Sequence, residues 1–469
     1  MSAPIARALA STIVRAYDVR GIVGKDFHRE DANALGRALA TMMGKGKRIC
    51  VAWDGRTSSK DFAQAFIDGL VDSGARALVL GLGPTPMGYF ALHNLAADAC
   101  AIITGSHNPP EYNGIKLVSA LGPIYGDALR KLAKIAATGA FLVAPGTRED
   151  VDVMPAYVRR LAHDFTGAKD LRVAWDAGNG AGGPALTALI EQLPGEHVAI
   201  YTEVDGRFPH HHPDPSREEN LADLKALVAE HRCDVGIALD GDADRVGVVD
   251  HEGVPVWGDE LLAYFAEDVL TSYPGATVLY DVKCRRLVFD RIKAAGGRPL
   301  IWATGHSLIK AQMRKQDSPI SGELSGHIMF ADRFYGADDG LYCAVRLLSL
   351  LRDKPLAAWR AALPASVVTP ELWVPIAEDR KAEVMATLRR MLASQRPLTV
   401  DGVRVDSADG WWLIRASNTQ AVLVVRAEGH DTAAVRRLLA HVNRLLGECG
   451  LALPASALHE EQATTTTGA

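Results

Sequence analysis

The chain has 469 residues, 48% of them hydrophobic and 23% charged, and a net charge of −5. That length exceeds one compact core and predicts roughly three or four domains. The acidic balance supplies no basic field for nucleic acid or an anionic membrane, and no apolar run approaches the roughly 20 residues of a membrane helix, so neither is expected as a partner. The six cysteines, Cys50, Cys100, Cys233, Cys284, Cys343 and Cys449, form no C-x-x-C pair. Four of them lie in or beside apolar, strand-like stretches, which fits buried thiols in a reducing compartment. The first apolar stretch is short and broken by Ser11 and Thr12, a poor signal peptide. A cytoplasmic protein is expected.

Taken in order, the chain first offers Tyr17-Asp-Val-Arg-Gly21, by itself an ordinary turn. A weak repeat then appears. Residues 48–56 read as a strand ending in Asp54 and a glycine turn; residues 171–178 share its Val-Ala-Trp-Asp, and residues 276–283 form a looser copy. Each precedes a predicted helix, over 58–74, 183–193 and 286–295. After each helix a second strand is expected to end in an unusual loop, over 101–106, 234–245 and 298–306. Three such strand–helix–strand units predict an α/β protein with three topologically similar α/β/α domains. The last hundred residues differ. Strands over 372–376, 411–416 and 421–426, with helices over 380–394 and 432–447, predict a smaller C-terminal α+β domain. The expected boundaries are 1–153, 154–254, 255–367 and 368–455, and the tail 456–469, with its run Thr464 to Thr467, is expected to be disordered.

Four loops carry chemistry. Thr104-Gly-Ser-His-Asn-Pro109 follows the apolar run 99–103 and stops at Pro109-Pro110, so Ser106 sits in a stiff loop at a strand's C-terminal end. A hydroxyl beside His107, Asn108 and Lys116 is a candidate nucleophile or phosphate carrier; alone the hexapeptide reads equally as a Ser/Asn turn before prolines. Asp240-Gly-Asp-Ala-Asp-Arg245 is the strongest signal. Three carboxylates at alternate positions directly after the apolar 235–239 repel one another and call for a cation. Hard oxygen ligands without Cys or His suit Mg²⁺. Gly322-Glu-Leu-Ser-Gly-His327 places Glu323, Ser325 and His327 two apart, on one side of an extended loop, where they can grip neighbouring hydroxyls of a polyol. Arg415-Ala-Ser-Asn-Thr419, before the strand bearing Arg426, offers guanidinium, hydroxyl and amide donors to a phosphate dianion. The triplet His210-His-His212 reads as a rigid surface loop, because consecutive side chains diverge while zinc sites space their ligands.

In this order and spacing the four loops resemble the signature of the α-D-phosphohexomutases, nearest to the bacterial phosphomannomutase/phosphoglucomutase branch. Thr104 to Pro109 looks like the phosphoserine loop, Asp240 to Arg245 the metal loop, Gly322 to His327 the sugar loop and Arg415 to Thr419 the phosphate loop. Tyr17 to Gly21, Lys283, Gly305-His306 and His211-His-Pro-Asp-Pro-Ser216 also fit, so the resemblance spans about Tyr17 to about Gly447. It implies four domains around a central cleft, and an enzyme phosphorylated on Ser106 that interconverts hexose 1-phosphate and 6-phosphate through a hexose 1,6-bisphosphate. It implies Mg²⁺ on Asp240, Asp242 and Asp244 with a further ligand from the phosphorylated Ser106. Arg20 and Arg245 would add positive charge at the reacting oxygens, and Lys116 or His327 would move the proton of the sugar hydroxyl. Tyr17, Lys283, Gly305, His306, Glu323 and Ser325 would contact the sugar phosphate. Arg415, Ser417, Asn418, Thr419 and Arg426 would hold the phosphate that is not transferred. The last domain is expected to close over the sugar, and a monomer is expected. Leu324 stands where the dual glucose/mannose enzymes typically carry Met and the glucosamine enzymes Gln, which disfavours glucosamine. Two rival readings remain at this point: an aspartyl-phosphate phosphatase of the haloacid dehalogenase type with Asp240 as nucleophile, and a non-catalytic sugar-phosphate-binding protein.

Overall fold

The computed structural model describes residues 6–417, 420–458 and 464–466. Two compact units emerge, Met1–Leu261 with His306–Pro355, and Leu262–Gly305 with Leu356–Ala469.

In the first unit the strand Arg48–Trp53 lies parallel between Arg76–Leu82 and Ala99–Ile103. Tyr112–Ser119 returns antiparallel along Ala99–Ile103, and Val19–Ile22 pairs antiparallel beside it. Ala99–Ile103 is buried at every position, as a central strand covered on both faces must be. The helices Arg29–Met43, Ser59–Asp72 and Asp127–Thr138 close one face around Phe27, Leu35, Phe62, Phe66 and Leu132. A second sheet repeats the plan. Arg172–Asp176 is parallel to Glu196–Ile200 and Val235–Leu239, and Val246–Asp250 returns antiparallel. A third set, Ile320–Gly322, Ile328–Phe330 and Ala337–Asp338, is an antiparallel meander. The loops of Ser106, Asp240 and Glu323 therefore occupy one recurring position, where a strand ends and its neighbour runs back. Loops at the carboxyl ends of such strands are where α/β folds carry ligands.

The repeat is longer than the sequence suggests, and its third copy is misplaced there. A further strand and helix precede each loop-bearing strand: Arg76–Leu82 with Thr85–Asn94, Glu196–Ile200 with Ala222–His231, and Arg298–Trp302 with His306–Gln316. Residues 298–306 are thus not the third loop-bearing strand; that place belongs to Ile320–Gly322. With three residues and a Ser-Gly ending it carries no apolar run to betray it.

The helix Gly340–Leu350 is capped by Asp339, whose Oδ1 accepts from Tyr342 N at 2.9 Å and whose Oδ2 accepts from the Tyr157 hydroxyl at 2.9 Å. Burial pushes this carboxyl from 3.8 up to about 7. The stability held at this site is complete below about pH 4 and drains away as pH rises through about 7, because the ionised form is disfavoured in the fold. Asp339→Asn keeps an oxygen for Tyr342 N and carries no charge. Its melting temperature should gain on that of the wild type between about pH 4 and 7; parallel melting curves across that range would refute the assignment.

In the second unit Thr277–Asp281 is parallel to Arg298–Trp302. The C-terminal sheet is antiparallel: Val403–Ser407, Gly410–Ala416 and Val422–Gly429 run in order, and Ser366–Val368 and Leu372–Pro375 both pair with the last. The helices Lys381–Met391 and Thr432–Gly447 cover one face, on a core that includes Val374, Leu388, Trp412, Val425 and Leu439. Thr464–Thr466, expected within a disordered tail, pairs antiparallel with Ser366–Val368. A run of β-branched residues suits an added edge strand.

Candidate active site

Ser106 sits in the left-handed region, at φ +50°, which costs a residue with a side chain about 1–2 kcal/mol. Its amide donates to Thr104 Oγ1 at 2.8 Å, and its hydroxyl, 2% exposed, donates to Asp240 Oδ2 at 3.1 Å. His107 Nδ1 lies 3.1 Å from the same oxygen. Burial, then Arg245 and Arg20, hold the His107 imidazole well below its usual pKa, so it is neutral. Arg20 bonds Asn108 Oδ1 through Nη1 and Asp18 Oδ2 through Nη2 at 2.7 Å.

Asp240, Asp242 and Asp244 are fully buried and bring one carboxylate oxygen each within 4.8 Å of one another. Gly241 permits this: a Cβ there would lie 2.4 Å from the Ser106 carbonyl oxygen. Lys116 Nζ bonds Asp242 Oδ2 at 2.7 Å and Asp244 Oδ2, and Thr85 Oγ1 bonds Asp242 Oδ2 as well. Burial, then Asp242 and Asp244, push the Asp240 pKa well above its ordinary value. Burial works the same way on Asp242, but Lys116 and Thr85 override it and draw that group down. Burial disfavours the Lys116 ammonium, yet Asp242, Asp244 and Asp240 win and raise its pKa. Lys116 faces Asp242 and Asp244, and Arg245 Nε stands 4.0 Å from Asp240 Oδ2, yet Asp242 Oδ1 and Asp244 Oδ1 are buried without a hydrogen-bond partner. These are the ligand atoms a hard divalent cation takes.

The loop from Gly322 to His327 folds as a tight turn. Glu323 N donates to His327 O at 2.9 Å and Gly326 N to Glu323 O at 3.1 Å, with Ser325 half-buried at its tip. His327 is the junction of the site. Its Nε2 accepts from Arg245 Nε at 2.9 Å, its Nδ1 lies 2.9 Å from Asp338 Oδ2, and His306 stacks on it at 5.1 Å with Tyr17 edge-on to His306 at 5.4 Å. His306 Nδ1 reaches the same Asp338 oxygen at 3.3 Å. Burial and Lys310 lower the His306 pKa to about 4. Tyr17, Arg20, Ser106, His107, Asn108, Lys116, the three aspartates, Arg245, His306, Glu323, Ser325 and His327 thus all belong to the first unit. The neighbouring histidine triplet is spent on separate partners: His210 stacks on Tyr201 and His211 Nε2 meets Asp176 Oδ2 at 2.9 Å.

Lys283, Gly305, Arg415, Ser417 and Arg426 lie in the second unit. Lys283 Nζ pairs with Glu371 Oε1 at 2.8 Å, Arg415 Nε with Asp401 Oδ2 at 2.8 Å, and Arg426 Nη1 donates to the Lys283 carbonyl at 2.8 Å. Burial raises the Glu371 pKa, but Lys283, then Arg426 and Arg415, bring it to about 2. Lys283, Arg415 and Arg426 thus gather about Glu371, with Asp281 and Asp401 as further carboxylates beside Lys283 and Arg415. Asn418 and Thr419 fall outside the described residues.

Profiles described as phosphoglucomutase/phosphomannomutase α/β/α domains I, II and III match residues 11–142, 155–253 and 257–367, and the C-terminal domain of that family matches 371–445. The chain belongs to the phosphoglucomutase/phosphomannomutase family. It is 44% identical over 437 residues to a phosphomannomutase/phosphoglucomutase of Pseudomonas putida, covering 92% of this chain and 94% of that one. It is 40% identical to a phosphoglucomutase of Neisseria gonorrhoeae, over 92% and 96% of the two chains. A solved phosphoglucomutase/phosphomannomutase family protein of Burkholderia thailandensis superposes with a TM-score of 0.89 at 40% identity, over 95% of this chain and 100% of the other. As a family member the protein is an isomerase, an intramolecular phosphotransferase of hexose phosphates, with three α/β/α domains and a smaller C-terminal domain. Neither the aspartyl-phosphatase nor the non-catalytic reading finds support among these relatives. Among the described residues no helix is long and apolar enough to cross a membrane.

The sequence reading misses Arg56, Thr85, Lys310 and Asp338 in the first unit, and Glu371 and Asp401 in the second. Only Asp338 left a trace there, as one of two adjacent acids before the helix-opening Gly340.

Proposed function

We propose that this mutase interconverts the 1- and 6-phosphates of glucose and of mannose, carrying a phosphoryl group on Ser106 and passing through the hexose 1,6-bisphosphate. The observation that carries the reading is the Ser106 hydroxyl, 3.1 Å from Asp240 Oδ2, at the edge of three buried carboxylates of which two keep an unpartnered oxygen. Asp240, Asp242 and Asp244 fit Mg²⁺, the last two through their unpartnered Oδ1 atoms, and the ion would neutralise charge on the transferring group. Arg20 and Arg245 add fixed positive charge beside Ser106. In the forward step the P–O bond to Ser106 breaks and a bond to the free sugar hydroxyl forms. The proton of that hydroxyl goes to His327, and the departing serine oxygen takes a proton from water to restore the hydroxyl that faces Asp240; on the return the serine gives that proton back to water and His327 protonates the sugar oxygen released. In the second step the other phosphoryl group returns to Ser106. His327 takes the base role because Lys116 is held as an ammonium by Asp242 and Asp244. Glu323 and Ser325 bind hydroxyls shared by both orientations of the sugar, while Lys283, Arg415, Ser417 and Arg426 hold the phosphate that stays. Leu324 replaces Met by a side chain of similar size, which keeps the dual glucose and mannose range.

Phosphorus NMR of the protein with glucose 1-phosphate or mannose 1-phosphate and a trace of glucose 1,6-bisphosphate tests this. Both should convert to 6-phosphates, only with the bisphosphate present, and chelation with EDTA should stop the reaction until Mg²⁺ is returned. Conversion of glucose 1-phosphate alone would narrow the substrate range; conversion of neither would overturn the reading.

A further inference from the structure

From the geometry we infer that Arg56 is the positioning residue that imposes the shape of the phosphoryl-carrying loop, and so the direction in which Ser106 presents its hydroxyl. The inference rests on the reading of Ser106 as the carrier. A guanidinium has five N–H donors in one plane, and here all five are used. Nε donates to Asp54 Oδ2 at 3.2 Å. Nη1 donates to the carbonyls of Tyr112, at 3.0 Å, and Pro109; Nη2 donates to those of Ser106, at 2.7 Å, and Asn108. The side chain is 0% exposed. One rigid group thus draws four carbonyls of a single loop toward a point.

The loop's other ties are fewer: Ser106 N to Thr104 Oγ1 at 2.8 Å, Val23 N to Glu111 O at 2.9 Å, and Arg20 Nη1 to Asn108 Oδ1 and, at 3.4 Å, to Gly105 O. Pro109 and Pro110 lack amide protons, and the loop's own backbone bonds are Asn108 N to Gly105 O and Tyr112 N to Pro109 O, each 3.0 Å. Asp54 completes the clamp by accepting from Arg56 N and Gly105 N, each at 3.0 Å, which ties the loop to the end of Arg48–Trp53. Gly105 is required by space: a Cβ there would stand 2.4 Å from Arg56 Nε, and Arg56, bonded through all five donors, has nowhere to yield. The left-handed φ of Ser106 is unfavourable by itself, so the bond from Nη2 to the Ser106 carbonyl acts on the residue that most needs constraint. Arg56 bonds loop carbonyls and Asp54; it reaches the reaction through the loop's shape.

Two variants test this from opposite sides. Arg56→Lys keeps the charge but replaces the planar fork by a point donor. Gly105→Ala keeps Arg56 and displaces it. The rate of phosphate-adduct formation from glucose 1,6-bisphosphate is followed by intact mass, binding of glucose 6-phosphate by calorimetry, and folding by circular dichroism. Both variants should acquire the adduct about 100-fold more slowly, the effect of a misplacement of about 1 Å, while sugar-phosphate binding stays within about threefold of wild type. A wild-type rate in either folded variant overturns the inference, as does binding that falls by the same factor as the rate, which would mark Arg56 as a general structural residue. Should Arg56→Lys fail to fold, Gly105→Ala decides on the same readings. If the wild type itself acquires no adduct, the reading of Ser106 fails, and this outcome is distinct from the others.

Discussion

Ser106→Ala should bind glucose 6-phosphate, take up no phosphoryl group from glucose 1,6-bisphosphate, and turn over at least about 10⁴-fold more slowly than the wild type. The serine oxygen stands between Asp240 Oδ2 and His107 Nδ1, 3.1 Å from each, and is almost wholly buried. The hydroxyl of Thr85 is already committed to Asp242 Oδ2. Intact mass after incubation with the bisphosphate reads the result directly. An adduct that persists in Ser106→Ala and disappears in Asp240→Asn would make the aspartate the carrier.

A companion variant separates chemistry from folding. Alanine at φ +50° is as strained as serine, so Ser106→Ala should melt close to the wild type. Ser106→Gly removes the Cβ that makes this conformation unfavourable and should gain up to about 1 kcal/mol of stability while remaining equally inactive. Stability and activity would then move in opposite directions at one residue, as expected where strain is held for function. Loss of stability in Ser106→Gly would show that the serine side chain contributes more to the fold than its backbone costs.

The parts of this site that the sequence discloses are those whose chemistry is local. Asp240, Asp242 and Asp244 stand together behind an apolar strand, and no core tolerates such a group without a purpose. Ser106 is announced by its prolines and Glu323 by its flanking glycines. Arg56 is silent because its partners lie 50 to 56 residues away, at the loop carbonyls of Ser106, Asn108, Pro109 and Tyr112. In the chain it is only the last residue of a strand-end turn. Thr85 is hidden for the same reason, 157 residues from Asp242. The third repeat is misaligned because Ile320–Gly322 is too short for periodicity to register. Thr464–Thr466 becomes a strand only through its pairing with Ser366–Val368, which composition cannot foresee.

Asp338→Asn should lower kcat by about 10²–10⁴-fold with little change in KM. An arginine N–H only donates, so the bond from Arg245 Nε makes His327 Nε2 the acceptor. The ring proton then sits on Nδ1, which lies 2.9 Å from Asp338 Oδ2. Asp338 is suited to receive it. Burial works against its charge, but Lys310, bonded to Oδ1 at 2.7 Å, and then His306 and His327 beside Oδ2 hold it well below the usual carboxylate range. The carboxylate beside Nδ1 favours the tautomer whose Nε2 lone pair accepts from Arg245, and a sugar hydroxyl must take the place of Arg245 there to surrender its proton. Asparagine has nearly the same size and can turn N–H toward Nδ1, which favours the reverse tautomer and sets a ring proton against the Arg245 donor. Nitrogen NMR of labelled His327 should report that exchange, a signature that mere loss of packing would not produce. A kcat within about threefold of wild type, with the His327 nitrogen shifts unmoved, would reduce Asp338 to a partner of Lys310 and leave the histidine oriented by Arg245 alone.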